Sequence, residues 1–297
     1  MGLGHEGSLG RVADRSTIPG VARSDVPSVV SRPMADDDVQ TDTSGVLFEV
    51  RGNIGVLTIN RPDKRNAVNA AVAQGMEAAL DRLEEDDSLF AGVLTHNGPV
   101  FSAGADLKLI NEGKAGEMAT GKGGFAGIAT RDRQKPLIAA VDGMALAGGC
   151  EIVLSCDLIV ASTTSQFGIP EVKRSLVAAA GGVFRLPRVL PRNIALELGL
   201  TGDPLPAERA YQLGMVNRLA EPGGALDAAL ELAGAIAKAA PLAVRETRTL
   251  MLTTTDVDDH TGMHLSMEAM GRLMNSEDFW EGPKAFLEKR DPEWKGR

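Results

Sequence analysis

Apolar residues recur along this chain with two different periods, and the period changes several times. Val46 to Val50 and Val56 to Asn60 read as short strands, separated by Arg51-Gly52-Asn53, which has the composition of a hairpin turn. Val68, Ala71, Val72, Met76, Ala79, Leu80 and Leu83 then fall three or four apart, the spacing of one helix face. Ala91 to Thr95 and Leu137 to Val141 are apolar runs that predict further strands. Helical spacing resumes at Gly149, and Leu158 to Ala161 reads as extended again. From about Ala225 every stripe is helical: Leu226 to Lys238, Leu242 to Leu252, His260 to Met274, and an amphipathic piece around Phe279 to Arg290. Strand–helix units followed by a run of helices imply an α/β core with an appended helical region.

Two stretches break this rhythm. Residues 1–44 are rich in Gly, Ser, Pro, Arg and Asp, a composition that cannot bury enough surface to offset the entropy of ordering. A disordered extension is expected there, with Met34 as an alternative initiator to Met1 and the folded part beginning near Val46. The second break is Leu107 to Arg133, where Asn111 to Gly124 is polar and dense in glycine. A mobile loop or ragged helix is expected, in a position where lids and binding segments occur.

Composition then removes several classes of function. A chain of 297 residues, 43% of them hydrophobic, buries a core without a disulfide or metal staple. Cys150 and Cys156 make neither a disulfide framework nor a zinc spacing, so buried reduced thiols are expected. The formal charge of −9 comes with no clustered basic face, which argues against a nucleic-acid partner. No run of about 18 apolar residues predicts a membrane span, and the N-terminus lacks the apolar core of a secretory signal. A cytoplasmic location is expected.

Some chemical patterns fall away on inspection. Gly116-x-x-x-x-Gly121-Lys122 echoes a phosphate-binding loop, yet Gly123 stands where Ser or Thr would meet magnesium, and no buried strand precedes it. His260 and His264 have the spacing of a two-histidine metal site but no third ligand in register, so no metal is expected. There is no Gly-x-Ser-x-Gly elbow for a serine nucleophile.

Two other segments carry chemistry. Phe101-Ser-Ala-Gly-Ala-Asp-Leu107 and Asp142-Gly-Met-Ala-Leu-Ala-Gly-Gly-Cys-Glu151 each run from a strand through small residues into a helix start. Such turns expose unpaired N–H groups, which attract negative charge. Facing each other, they would offer two donors to one oxygen, as chemistry through an enolate requires. Glu151 lies just inside the second of these helices, and Glu171 follows Phe167-Gly-Ile-Pro170. Taken singly, the first is an ordinary dipole partner and the second an ordinary cap. As a pair at one site, they would push each other's pKa values apart, so that one donates while the other accepts.

Phe101 to Leu107, Ala139 to Cys156 and Gln166 to Leu190 together resemble the crotonase, or enoyl-CoA hydratase/isomerase, superfamily. The likeness extends to Asn60-Arg-Pro-x-x-x-Asn66-Ala, Leu200-Thr-Gly, Leu213-Gly-Met-Val-Asn217 and the tail around Glu281 to Arg290. It covers roughly Val46 to Arg297. The resemblance implies a crotonase-like spiral of ββα units over residues 45–225, and a helical region over residues 226–297 through which copies assemble as homotrimers or hexamers. It implies an acyl-CoA thioester substrate, with coenzyme A as part of that substrate and no separate cofactor. The oxyanion hole would be the N–H groups of Ala105 and Gly148. Glu151 and Glu171 would hold a water, Glu151 helping to activate it for attack at C3 and Glu171 handling the proton at C2. Coenzyme A would be met by Lys64, Arg65, Ala67 and Val68, and the thioester region by Ala103, Asp106 and Leu107.

Retention of both glutamates favours hydration of a 2-enoyl-CoA. Double-bond isomerisation from the same enolate is the nearest alternative. A non-catalytic acyl-CoA-binding protein is the alternative from another class, although binding alone needs no paired carboxylates. The chain departs from the resembled pattern at Ser175, at Ala178-Ala179 and at Ala147, where glycine or Pro-Gly is common; these changes bear on substrate preference.

Overall fold

The structure, a computed structural model, describes residues 45–297. The extension expected over residues 1–44, and the choice between Met1 and Met34, lie outside the described residues.

The chain opens with β1 (Val46–Arg51) and β2 (Ile54–Ile59), an antiparallel hairpin, followed by α1 (Ala70–Glu85). Three repeating turns follow. In the first, β3 (Ala91–His96) leads through β4 (Val100–Ser102) to α2 (Leu107–Asn111). After the short pair β5 (Ala119–Thr120) and β6 (Gly124–Phe125), β7 (Leu137–Val141) leads through β8 (Met144–Leu146) to α3 (Gly148–Leu154). Then β9 (Leu158–Ser162) leads through β10 (Gln166–Gly168) and a 3-10 turn, Pro170–Arg174, to α4 (Gly182–Val189) and α5 (Arg192–Thr201). Next come β11 (Leu205–Pro206), α6 (Ala207–Gln212) and β12 (Arg218–Ala220), then α7 (Ala225–Ala237), α8 (Pro241–Thr253), α9 (Asp259–Met274) and α10 (Glu277–Glu288).

The first strand of each turn joins one sheet, ordered β1-β2-β3-β7-β9-β12, and the second joins another, ordered β11-β10-β8-β4. Strands β2, β3, β7, β9 and β12 run parallel. Parallel strands are covered on both faces, so they read as continuous apolar runs; every residue of Leu137–Val141 is buried. Alternation assigns the two faces. Leu57, Leu94, Leu137 and Ala139 point into the main core beside α1, while Val56, Val93, Ile138 and Ala140 pack against Ala229 and Ala233 of α7. The helix α7, which the sequence reading grouped with the tail, therefore forms the outer layer of the sheet. The sheet face turned away from α1 and the amphipathic helix α7 each need apolar cover, and each supplies the other's.

The spacing that begins at Val68 becomes a helix only after Asn69, whose side chain caps α1 by accepting the N–H of Val72 at 3.0 Å. Val68 itself bridges to Ala105. The segment expected to be a mobile loop or ragged helix is instead folded into α2, a 3-10 turn and the β5–β6 pair. Two half-buried acidic residues of α1 hold it: Glu77 accepts from Thr120 and from the N–H of Gly123, and Asp81 pairs with Lys122 and Arg131. Lys122, the lysine of the phosphate-loop echo, is committed to that pair.

Helix α8 is tied to the core through Asp157, which meets Arg133 at 3.1 Å and Arg248 at 2.8 Å. Helices α8 to α10 leave large apolar side chains uncovered, among them Met251, Met263, Met267, Trp280, Phe286 and Leu287. Among the described residues, no helix is long and apolar enough to cross a membrane.

Candidate active site

Each second strand of a turn delivers a functional segment to one place. After β4 the chain turns through Ala103-Gly104-Ala105. Gly104 has φ +88°, and a Cβ added there would lie 2.7 Å from the backbone nitrogen of Gly148. Only glycine lets the two turns approach this closely. The turn is fixed by Ser102, whose Oγ donates to the carbonyl of Asn66 at 2.8 Å and accepts the N–H of Gly104 at 3.1 Å. Buried Asn66 in turn donates to the carbonyls of Asn97 and Val100. Main-chain bonds from Ala103 to Arg65, from Val68 to Gly104 and from Asp106 to Val68 stitch residues 65–68 to this turn. The N–H of Ala105 finds no acceptor among the described residues.

After β8, Ala147 adopts φ +51° and ψ −129° while its N–H donates to Gly168 at 2.9 Å. A non-glycine residue at positive φ stores strain of order 1–3 kcal/mol. Here that conformation sets the peptide that presents the N–H of Gly148, at the first position of α3, where no intrahelical acceptor exists. A Cβ on Gly148 would come within 2.6 Å of the Phe125 ring. The sequence shows Ala147 in place of a common glycine; the structure shows that alanine in a backbone conformation that glycine reaches more readily.

Glu151 sits one turn into α3, is only 4% exposed, and accepts the N–H of Gly182 on its Oε1 at 2.9 Å. Burial pushes its carboxyl pKa up, opposed by the N–H groups of Gly182 and Ala180 and by the charge of Arg185. Glu171, in the 3-10 turn after β10, is also raised by burial; its own N–H and Arg174 oppose this, and the charge of Glu151 raises it further. Its Oε2 is buried and has no partner among the described residues. Burial raises both carboxyls, but at Glu151 the rise is opposed by N–H groups of another segment, those of Gly182 and Ala180, whereas at Glu171 the opposing N–H is its own.

Both glutamates, Ala105 and Gly148 line one cavity of about 810 Å³. Lys64, Arg65, Ala67, Ala103, Asp106 and Leu107 line the same cavity. Val68 does not: its side chain is fully buried in the core, and it shapes the wall only through its backbone bonds. Asp106 also caps α2 and faces Arg61 at 3.4 Å. The cysteines take no part, since burial pushes both thiols up to about 12. His264 faces Glu268 on its own helix, and no cluster of metal-binding side chains occurs among the described residues.

The model of the enoyl-CoA hydratase/isomerase family matches residues 49–297. The chain belongs to that family. It is 41% identical over 251 residues to a carnitinyl-CoA dehydratase of Salmonella arizonae, covering 82% of this chain and 96% of that protein. The crystal structure of an enoyl-CoA hydratase from Mycobacterium tuberculosis superposes with a TM-score of 0.82 at 48% identity, covering 86% of this chain and all of the other. A carnitinyl-CoA hydratase from Mycobacterium avium gives a TM-score of 0.68 at 42% identity, over 86% of this chain and all of that one. The fold is the crotonase fold, with its helices gathered towards the C-terminus.

Within this family fold, two residues that shape the site, Asn66 and Arg185, carry little signal of that role along the chain. Asn66 appeared only as part of a pattern, although a buried asparagine joining two loops is a structural keystone. Arg185 lies on α4 and donates to Ser155 Oγ, to the carbonyl of Ala180 and to the carbonyl of Ala129. Its one visible signal was a charge between the apolar residues Phe184 and Leu186.

Proposed function

We propose that this chain is a 2-enoyl-CoA hydratase, adding water reversibly across the C2–C3 double bond of a coenzyme A thioester. One observation carries the reading: two buried carboxylates and two backbone donors of facing turns line a single cavity. The thioester oxygen accepts from the N–H groups of Ala105 and Gly148. As water attacks C3, the π electrons move towards the carbonyl and charge grows on that oxygen. Fixed donors of this kind are worth about 3 kcal/mol when one is lost.

The proton traffic follows from the two environments. Glu151, supported by the Gly182 N–H and by Arg185, is the ionised partner and takes a proton from the attacking water. Glu171, raised by burial and by its neighbour's charge, is the protonated partner and delivers its proton to C2. A proton passed from Glu151 back to Glu171 restores the starting state, and dehydration runs the same steps backwards. Every bond is accounted for by substrate, water and the two carboxyls. Lys64 and Arg65 are exposed at the cavity edge and offer positive charge to the phosphates of coenzyme A on an otherwise acidic protein.

The uncovered apolar side chains of α8 to α10 support assembly into a homotrimer or a hexamer, since a monomer rarely leaves so many large side chains in water. Light scattering on the eluting protein measures this directly.

The test of the reaction is to follow loss of the conjugated thioester absorbance for a panel of 2-enoyl-CoA esters, with product masses, beside Glu171→Gln. Gain of one water, abolished in the variant, supports hydration. Binding without turnover of any conjugated ester overturns it, and 3-enoyl esters then test isomerisation.

A further inference from the structure

Strands β4 and β8 lead to the two proposed oxyanion donors, yet the ladder between them is a poor ruler. Each strand has three residues, and the pairs Val100–Met144 and Ser102–Ala145 leave one extra residue on β4. A short, bulged ladder specifies its register weakly. Downstream, the close approach of Gly104 to Gly148 sets the spacing of the two turns. Upstream, another contact has to hold the strand starts together.

His96, the last residue of β3, makes that contact. Its Nε2 accepts the N–H of Asp142, in the turn between β7 and β8, at 3.1 Å. A peptide N–H only donates, so Nε2 carries the lone pair and the neutral ring holds its proton on Nδ1. The ring also packs edge-on against Phe101 of β4, with centroids 5.3 Å apart and planes at 72°. One imidazole thus touches both the strand that leads to Ala105 and the turn that leads to Gly148. Burial favours its neutral form, pushing the ring pKa below the usual histidine value against the charge of Asp142.

Neighbouring contacts tighten the same junction. Gly143 has φ +115°, and a Cβ there would lie 2.3 Å from the carbonyl oxygen of Pro99, so the two turns press backbone on backbone. The N–H of Gly143 donates to Ser165 Oγ at 3.0 Å, and that hydroxyl donates to the carbonyl of Val141 at 2.8 Å. Asn66 holds the first turn from its other side, through the carbonyls of Asn97 and Val100. His96 itself lies off the cavity wall, so it acts through these turns and not on substrate.

We propose that His96 is a positioning residue: its bond to Asp142 locks the turn before β4 to the turn before β8, and so fixes where the N–H groups of Ala105 and Gly148 stand relative to each other. The role rests on the oxyanion hole of the proposed reaction.

The experiment reads the donors without turnover. Butanoyl-CoA, a saturated ester that cannot be hydrated, is isotope-labelled at its thioester carbonyl and bound to the full chain. Infrared difference spectra give the shift of its carbonyl stretch to lower wavenumber, which measures how well the two N–H groups polarise that oxygen. His96→Leu is expected to lose at least about half of this shift. Its kcat for 2-butenoyl-CoA is expected to fall about 10- to 100-fold, the cost of a misplaced donor, with KM within a few-fold of the parent. His96→Gln places an amide oxygen near the position of Nε2 and is expected to recover both readouts. Ser165→Ala loosens the same turn by the loss of one oxygen; it is expected to lower both readouts, and it carries the test if the leucine variant does not fold. A full carbonyl shift with parent kcat in His96→Leu, or in Ser165→Ala where that variant stands in for it, overturns the proposal. So does a glutamine variant no better than leucine, which leaves His96 only its packing on Phe101. If butanoyl-CoA shows no shift in the parent, the oxyanion hole fails and the role of His96 fails with it. If the shift is present but 2-butenoyl-CoA is not hydrated, the reaction reading fails and the infrared comparison alone decides the role of His96.

Discussion

The N–H of Gly182 donates to Oε1 of Glu151 across 2.9 Å, so the first residue of α4 orients a carboxylate carried by α3. A Cβ on Gly182 would lie 3.3 Å from Glu151 Cγ and 2.9 Å from Ala178 Cβ, which leaves little room for a larger residue. That bond is one of the contacts that separate the two glutamates chemically: Glu151 has the N–H groups of Gly182 and Ala180 and the charge of Arg185 to favour its ionised form, and Glu171 keeps a buried oxygen without a partner among the described residues.

Replacement of either carboxylate by its amide tests the division of labour. Glu151→Gln and Glu171→Gln are each expected to lower kcat for hydration by about 10²- to 10⁴-fold, the range of positioned acid–base groups. Substrate binding, measured by calorimetry with a non-reactive acyl-CoA, is expected to stay within a few-fold of the parent.

The pH profile of kcat/KM is expected to be bell-shaped. Activity falls on the acid side as Glu151, raised above the usual carboxylate range, takes up a proton. It falls on the alkaline side as Glu171, raised by burial and by the charge of Glu151, loses its own. The two limbs belong to the pair rather than to either residue. A flat profile between pH 5 and 9 contradicts the assignment.

The same shift has a consequence for stability. A carboxyl raised in the folded state contributes stability that is full below its unfolded pKa and is lost as pH rises through the folded value. Glu171→Gln removes a buried carboxylate with an unpartnered oxygen. The variant is expected to melt higher than the parent at pH 8, with the difference vanishing towards pH 4. Calorimetric scans at the two pH values decide it.

Arg185 is expected to act through Glu151. It bonds to Ser155, Ala180 and Ala129, and its charge opposes protonation of the carboxylate. Arg185→Met removes that charge, so the acid limb of the pH profile moves to higher pH, and Arg185→Lys restores part of the shift. The unpaired acceptors also cost about 1–3 kcal/mol of stability, read from urea unfolding. An unshifted acid limb with reduced stability would assign Arg185 a structural role alone.

Gly104→Ala tests the facing turns. Its Cβ would lie 2.7 Å from the Gly148 nitrogen, at positive φ. Loss of kcat by about 10²- to 10³-fold is expected, the cost of one lost oxyanion donor, with binding of a non-reactive acyl-CoA expected to stay within a few-fold of the parent.

Much of this was legible along the chain because it is local. The short apolar runs Val46–Val50 and Leu137–Val141 and the helical stripes after Ala225 report local backbone periods, and those depend on near neighbours. The glycine turns before α2 and α3, with a glutamate just inside the second, were visible for the same reason. What the tertiary structure alone decided depends on distant partners. Residues 107–133 look polar and glycine-rich, but Glu77 and Asp81, some 40 residues earlier, supply the bonds that fold them. The stripe containing Ala229 and Ala233 fits any amphipathic helix, and only the uncovered face of Val56, Val93 and Ile138 makes it a layer of the core. Glu151 and Glu171 each look ordinary in sequence; they differ because Gly182 and Arg185 meet one of them, and bonds between residues some 30 positions apart leave no mark on a local pattern.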